Sequence, residues 1–453
     1  MDLQLAWLDA IETHGIYNVN ERVLAEYWMG HIIGPWNEYG VAKFNIANGL
    51  FPPLSGLCNN ETWKNSNGAW IRSEIWACMF PGEPDEVVPF AWYDSCVDHA
   101  DEGINAEIFT AVLESAAFVE NDLRKLIEYA FARIPKDSRV ARSVKIVMDA
   151  YDNGEDWLTA RNKVVEDSAD LGWFQAPANV AFVILGLLYG NGDFGRSVCL
   201  SVNCGDDTDC TGATCGAIMG IIKGISGIPS EWIEPIGDQI KTVAINPFRI
   251  SPPATLGELT DRVMVCKQQL DMVNPTVIRL TDGETVIDEE VIRRLGSGAI
   301  SAEHMAEKMS RRMTIPLSYG NLYITFEKSP IMAPGETQEI TLSFAECRHE
   351  NSVVQVEWQL PESWHFAEGS VHQMMGYFDN IRHLKVHLTA GEFLSTFEYI
   401  PIKITVSNRN YPEYRVVPMQ REGAVIAYNK PPHTPFWPFH DVRSRICASR
   451  QLF

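Results

Sequence analysis

Positive charge is scarce in this chain. Its 453 residues include 37 Lys and Arg against 59 Asp and Glu, a formal net charge of −22. A surface of that sign repels nucleic-acid backbones and anionic membranes, so neither is expected as a partner. Long apolar runs are missing too. The longest, VAFVILGLL from Val180 to Leu188, is much too short to span a bilayer and reads as a buried helix. The N-terminal MDLQLAWLDAIETHG has neither a basic start nor a continuous apolar run, and reads as an amphipathic helix in place of a signal peptide. Ten cysteines occur as scattered singles apart from Cys204, Cys210 and Cys215, whose spacing fits neither a CxxC zinc ribbon nor a disulfide framework. Reduced thiols in a cytoplasmic protein are the expectation. No internal repeat is found.

What is present is a soluble globular composition, 46% hydrophobic and 21% charged, in a chain long enough for two or three domains. Residues 1–272 carry helical patterns. NAEIFTAVLESAAF (Asn105–Phe118) is rich in good helix formers, Asn121 is a candidate cap for the next segment, and Pro135 ends that one. Ser138–Tyr151 and Asp156–Val165 continue the series, with Gly154 as a C-cap between them. Residues 273–313 mix short extended pieces such as TVIRL with small helices, one opening at Ser301. From 314 to 428 the period becomes two: Ile340, Leu342, Phe344; Val354, Val356, Trp358, Leu360; Leu384, Val386, Leu388; Ile400, Ile402, Ile404, Val406. About seven strands in an antiparallel sandwich are expected. Within it, His383 and His387 read as a solvated face more readily than as a zinc pair. The proline-rich KPPHTPFWPFHD opens a C-terminal arm, 429–453, expected to drape over one of the domains.

One stretch carries chemistry: NCGDDTDCTGATCGAIMGIIKG, Asn203 to Gly224. Asp206, Asp207 and Asp209 precede glycines at 212, 216, 220 and 224, all on one helix face. Four glycines in register predict a stripe along which another backbone approaches closely. Carboxylates at a helix start offer hard oxygens that select Mg²⁺, Mn²⁺ or Ca²⁺, beside amides that welcome phosphate. Capping of the helix by the same aspartates is the competing structural reading.

GDDTDCTGATCGAIMG resembles the C-terminal metal motif of the ADP-ribosylglycohydrolases, the family of dinitrogenase-reductase-activating glycohydrolase and the J-crystallins. NGLFPPLSG (48–56), GAWIRSEIWACMFPGEP (68–84), DSCVDHADEGINAEIFTAVLESAAF (94–118) and YGNGDFGRSVCLSVNCG (189–205) agree in order and spacing, so the resemblance covers residues 2 to 270. It implies a multidomain chain: an all-α ADP-ribosylglycohydrolase-like domain followed by an all-β, immunoglobulin-like sandwich. It also implies Asp207 and Asp209 as ligands of a divalent cation, Mg²⁺ first, with Cys210 where the family commonly has a ligating threonine. Asp206 and Asp207 become the catalytic candidates, and His99, Asn203, Thr208 and Arg72 the substrate contacts. Arg72 with Glu74 reads as a structural ion pair as well.

The implied reaction is hydrolysis of a glycosidic bond in an ADP-ribosyl or related nucleoside-sugar substrate, free or protein-linked. The family pattern also has a Gly-Asp-Ala-x-Gly helix and a Thr-Asp-Asp-Thr motif ahead of a helix like LQLAWLDAIETHG. Here the sequence opens at that helix, so half of the family metal site is expected to be missing, with truncation favoured over drift and Asp2 nearest the gap. A ligand-binding protein without turnover is therefore the alternative function, and a purely structural role the third.

Overall fold

The architecture is that of a computed structural model, which describes residues 1–246, 248–274, 278–283, 286–296, 311–345, 352–376, 383–407, 409–424 and 426. The helical part contains α1 (Asp2–His14), α2 (Glu21–Gly30), α3 (Asn37–Ala47), α4 (Leu54–Leu57), α5 (Glu74–Met79) and α6 (Pro84–Ser95). It continues with α7 (Asp101–Ala117), α8 (Leu123–Phe131), α9 (Arg139–Asp152), α10 (Trp157–Asp167) and α11 (Ala176–Tyr189). Then come α12 (Phe194–Asn203), α13 (Thr208–Lys223), α14 (Ser230–Ile233) and α15 (Leu256–Val273), followed by the short α16 (Glu289–Gly296). No helix among the described residues is long and apolar enough to cross a membrane. The helix expected at Ser301 and the arm at 429–453 lie outside the described residues.

Local signals set most of these boundaries. Ser138 caps α9 through the Ala141 amide, and Asp156 caps α10 through Leu158 and Thr159. The cap of α8 is Asp122, whose side chain accepts from the Arg124 and Lys125 amides; the expectation of Asn121 was one residue early. A carboxylate competes well there because its charge also meets the positive end of the helix. The apolar run 180–188 falls in α11, buried on every side among α7, α9, α12 and α13, which is what an all-round apolar helix requires.

The glycine stripe needs correction. A Cβ on Gly212 would meet Val202 Cγ2 at 2.8 Å, but on Gly216 and Gly220 it would find only ordinary contacts at 3.8 and 3.7 Å, and Gly224 (φ 64°) merely ends α13. The nearest atoms along this face are side chains, valines of α12 over Gly212 and Gly216 and Ile228 over Gly220. The close approach lies one helix pair earlier, where a Cβ on Gly186 of α11 would sit 2.6 Å from the Ser197 carbonyl oxygen of α12.

The β-rich part has β1 (Arg312–Leu317), β2 (Gly320–Phe326), β3 (Ile331–Met332), β4 (Thr337–Ala345) and β5 (Ser352–Trp358). It is completed by β6 (His365–Phe366), β7 (Val371–Gly376), β8 (His383–Thr389), β9 (Phe397–Val406) and β10 (Glu413–Arg421). They form two five-stranded sheets, ordered β1-β2-β4-β8-β6 and β3-β10-β9-β5-β7. All pairs are antiparallel except β3 with β10. Among the described residues ten strands therefore stand where about seven were expected, because two-residue edge strands such as β3 and β6 have no alternation to read. The four period-two runs supply β4, β5, β8 and β9, with Ile340, Val356, Leu388 and Ile402 fully buried.

The two parts share a boundary. Leu50, Leu54 and Cys58, at and around α4, belong to the apolar core of the sandwich. Asn59 and Gln420 exchange two side-chain amide bonds, each 2.8 Å, and Tyr399 donates to Asn48 Oδ1 at 3.1 Å.

Candidate active site

Gly205 (φ 84°) and Asp206 (φ 63°) reverse the chain between α12 and α13, placing Asp207 as the N-cap residue of α13. Its side chain makes no capping bond. Instead Asp207 Oδ2 accepts from Asn67 Nδ2 at 2.9 Å, while its amide donates to Asn179 Oδ1 at 3.2 Å. Asp207, Asp209 and Cys210 bring one potential ligand atom each within 4.8 Å of one another, with Asp209 exposed and the other two buried. Burial pushes the Asp207 carboxyl up to about 6, and the adjoining Asp209 adds to it. Burial and then Asp207 raise the Cys210 thiol above its ordinary value. That thiol is protonated at neutral pH and suits a hard cation poorly, whereas the two carboxylates suit one well.

Asp206 has another partner. Its Oδ1 accepts from the Phe174 amide at 3.0 Å, holding the loop before α11. Phe174 itself has φ 69°, a conformation that costs a bulky residue energy and survives only where surroundings impose it. Asn203 is exposed at the end of α12, and Thr208 is half-buried at the start of α13.

Arg72 and His99 lie deeper. Arg72 Nε donates to Asp94 Oδ1 (2.7 Å), Nη1 to the Gly68 carbonyl (2.8 Å) and Asp98 Oδ2 (3.2 Å), and Nη2 to Asp98 Oδ1 (2.7 Å) and the Asp94 carbonyl (3.3 Å). All five N–H donors are thereby used. Its partners are Asp94 and Asp98; Glu74, expected as the ion-pair partner, accepts instead from Gln4 Nε2 at 2.7 Å. Burial would raise Asp98, but Arg72 and then His99 outweigh it and hold the carboxyl below its usual range. His99 is fully buried, with Nδ1 2.8 Å from Asp98 Oδ1 and Nε2 3.0 Å from Ser66 Oγ.

Three consecutive residues tie these pieces together. Ser66 touches His99, Asn67 holds Asp207, and a Cβ on Gly68 would collide with Glu38 Oε1 and lie 3.2 Å from His99 Cε1. A side chain there would have to displace the Glu38 carboxyl group. Glu38, the second residue of α3, is 3% exposed, and burial pushes its carboxyl up to about 7. Together with Gly68, Arg72, Phe174, Trp36 and Asp2, it lines a cavity of about 320 Å³. Asp2, expected near a missing motif, accepts from the Val243 and Ala244 amides. A larger apolar cavity of about 720 Å³, between α5, α15, residues 278–283 and Val286, contains none of the expected site residues.

Glu38, Asn67, Asp94 and Asp98 went unread in the sequence. Asp98 adjoins His99 and Asn67 adjoins a matching block, so both had a signal beside them. Glu38, in WNEYG, had none.

A family model described as ADP-ribosylglycohydrolase matches residues 1–263, more than half of the chain. No curated protein matches.

Proposed function

The chain belongs to the ADP-ribosylglycohydrolase family, and from that premise we propose that it hydrolyses a glycosidic bond in an ADP-ribosyl or related nucleoside-sugar substrate with the help of a divalent cation. The observation that carries the reading is the pair Asp207 and Asp209, two hard-oxygen donors gathered at the start of α13, one of them fixed by Asn67. These two would hold the ion, Mg²⁺ first and Mn²⁺ or Ca²⁺ after it. When bound, such an ion supplies charge stabilisation at sugar or phosphate oxygens.

The chain's own residues do the rest. Asn67 keeps one Asp207 oxygen turned toward the turn at 66–68, and Asp206 holds Phe174 at the wall of the 320 Å³ cavity. His99, with Ser66 on its Nε2, packs behind the lining residue Gly68. Cleavage at an anomeric carbon passes through an oxocarbenium-like state, which a carboxylate in the lining such as Glu38 stabilises.

A second reading has one observation in its favour. The group at α13 offers two carboxylates and a protonated thiol, a short set for a Mg²⁺ ion, which suits a protein that binds ADP-ribose without turning it over. Incubation with ADP-ribosyl conjugates of arginine, serine and nucleotides, with and without Mg²⁺, separates the two. Release of ADP-ribose that stops with chelator supports the hydrolase. Binding of ADP-ribose with no release from any conjugate supports the second reading.

A further inference from the structure

The cavity holds a carboxyl group that the family motif does not account for. Glu38 is 3% exposed, and its Oε2 has no hydrogen-bond partner. An unpaired carboxylate in that position costs stability, so a fold that keeps one needs a use for it. Its placement is also forced. Asn37 just before it has φ 42°, and Gly68 leaves room for its Oε1 where any side chain would collide. Among the described residues six non-glycine positions have positive φ, and two of them, Asn37 and Phe174, line this cavity. Such strain gathers where a geometry is being held for chemistry.

We propose that Glu38 is the proton-transfer group of this pocket, acting as general base on the water that attacks the anomeric carbon. This rests on the hydrolase reading above. One water O–H bond breaks and its proton passes to Glu38 Oε2, while the water oxygen bonds to the anomeric carbon. The bond from that carbon to the departing nitrogen or oxygen breaks, and its electron pair leaves with that atom. Glu38 then returns the proton to the leaving group, so the protein ends unchanged and no electrons are transferred.

The rest of the neighbourhood fits this use. Asp98 and His99 each bring an atom within 4.8 Å of the Glu38 carboxylate, but Asp98 is spent on Arg72, and His99 has Nε2 3.0 Å from Ser66 Oγ and Nδ1 2.8 Å from Asp98 Oδ1, the latter without hydrogen-bond geometry. Glu38 is the member with a free oxygen. The charged and titratable groups around it are His99, Asp98 and Arg72 behind, Tyr39 on its own helix and Cys210 on α13. Burial leads the rise of its carboxyl to about 7, so it is a base above that pH and is silenced by protonation below it.

The test compares the full chain with Glu38→Gln and Glu38→Asp, at saturating Mg²⁺, on whichever ADP-ribosyl conjugate the wild type cleaves best. Glu38→Gln should lower kcat at least ~100-fold while ADP-ribose binds within about twofold of wild type. The wild-type kcat should rise with pH through about 7, and that limb should vanish in Glu38→Gln. Glu38→Asp, which keeps the carboxyl but withdraws it, should fall between the two and retain the limb; it also stands in if the Gln variant does not fold. A Gln variant that turns over within threefold of wild type, or keeps the limb, overturns the assignment while leaving the hydrolase intact. A wild type that cleaves no conjugate overturns both.

Discussion

The carboxylates near the candidate site fall into two groups, and they are treated oppositely. Asp94 and Asp98 each meet the Arg72 guanidinium, and every N–H of that group is engaged. At the start of α13 and of α3 the carboxylates are left short. Asp207 accepts from Asn67 and lies beside the Cys210 thiol, Asp209 faces solvent, and Glu38 Oε2 has no partner. A carboxylate whose counter-charge comes from within the fold is committed to structure. One left incomplete is available to an ion, a proton or a substrate.

Substitutions can break that contrast, beginning where the loss should be largest. Arg72→Ala strands Asp94 and Asp98 in the core beside Glu107, whose carboxyl burial and then Asp94 push well above its ordinary value. The loss should be about 3–5 kcal/mol in urea unfolding. Arg72→Lys should recover little, since an ammonium replaces five forked donors with three. An Arg72→Ala protein with a wild-type unfolding midpoint and no ADP-ribose binding would move Arg72 to the substrate and erase the distinction.

Next come Asp207→Ala and Asp209→Ala. Each should abolish the heat of Mg²⁺ titration while changing unfolding free energy by no more than ~1 kcal/mol. Unchanged binding in both would remove these residues from a metal role. Asn67→Ala should act more gently, since it deletes the donor to Asp207 and the acceptor of Trp70 Nε1 without touching a ligand atom. Mg²⁺ affinity should fall roughly 10-fold, and an affinity equal to wild type would show that Asp207 needs no orienting partner.

The smallest effect concerns pH. Burial raises the folded Asp207 carboxyl from 3.8 to about 6, so between those values the native state holds more protons than the unfolded chain. Stability therefore falls as pH rises through the window, and the full cost is present above about 6. Asp207→Asn should melt above wild type in Mg²⁺-free buffer at pH 7, with the gap closing below pH 4. A gap independent of pH would assign it to packing.

The same contrast bears on what could be read from the chain. Periodicity and caps are local, so α9, α10, α11 and the four long strands were legible with boundaries close to those observed. The aspartates at 206, 207 and 209 stood out because they fall within four residues of one another. Arg72 was misread because its partners stand 22 and 26 residues away on another helix and the loop after it, while the nearer Glu74 offered a plausible but unmade pair. Glu38 was invisible for a related reason: its significance is a missing partner, which only the surrounding packing reveals. The glycine stripe shows the limit of spacing arguments, since register identifies a face but not what covers it.

The shared boundary at α4 has a practical consequence for anyone trimming the chain. Excising the sandwich would leave Leu50, Leu54 and Cys58 as an oily scar, inviting self-association. The disturbance would also travel inward, because Gly56 in that short helix lies so close beneath the His99 backbone that a single added carbon would collide with it. A minimal helical domain is therefore better sought by repainting those three positions than by cutting alone.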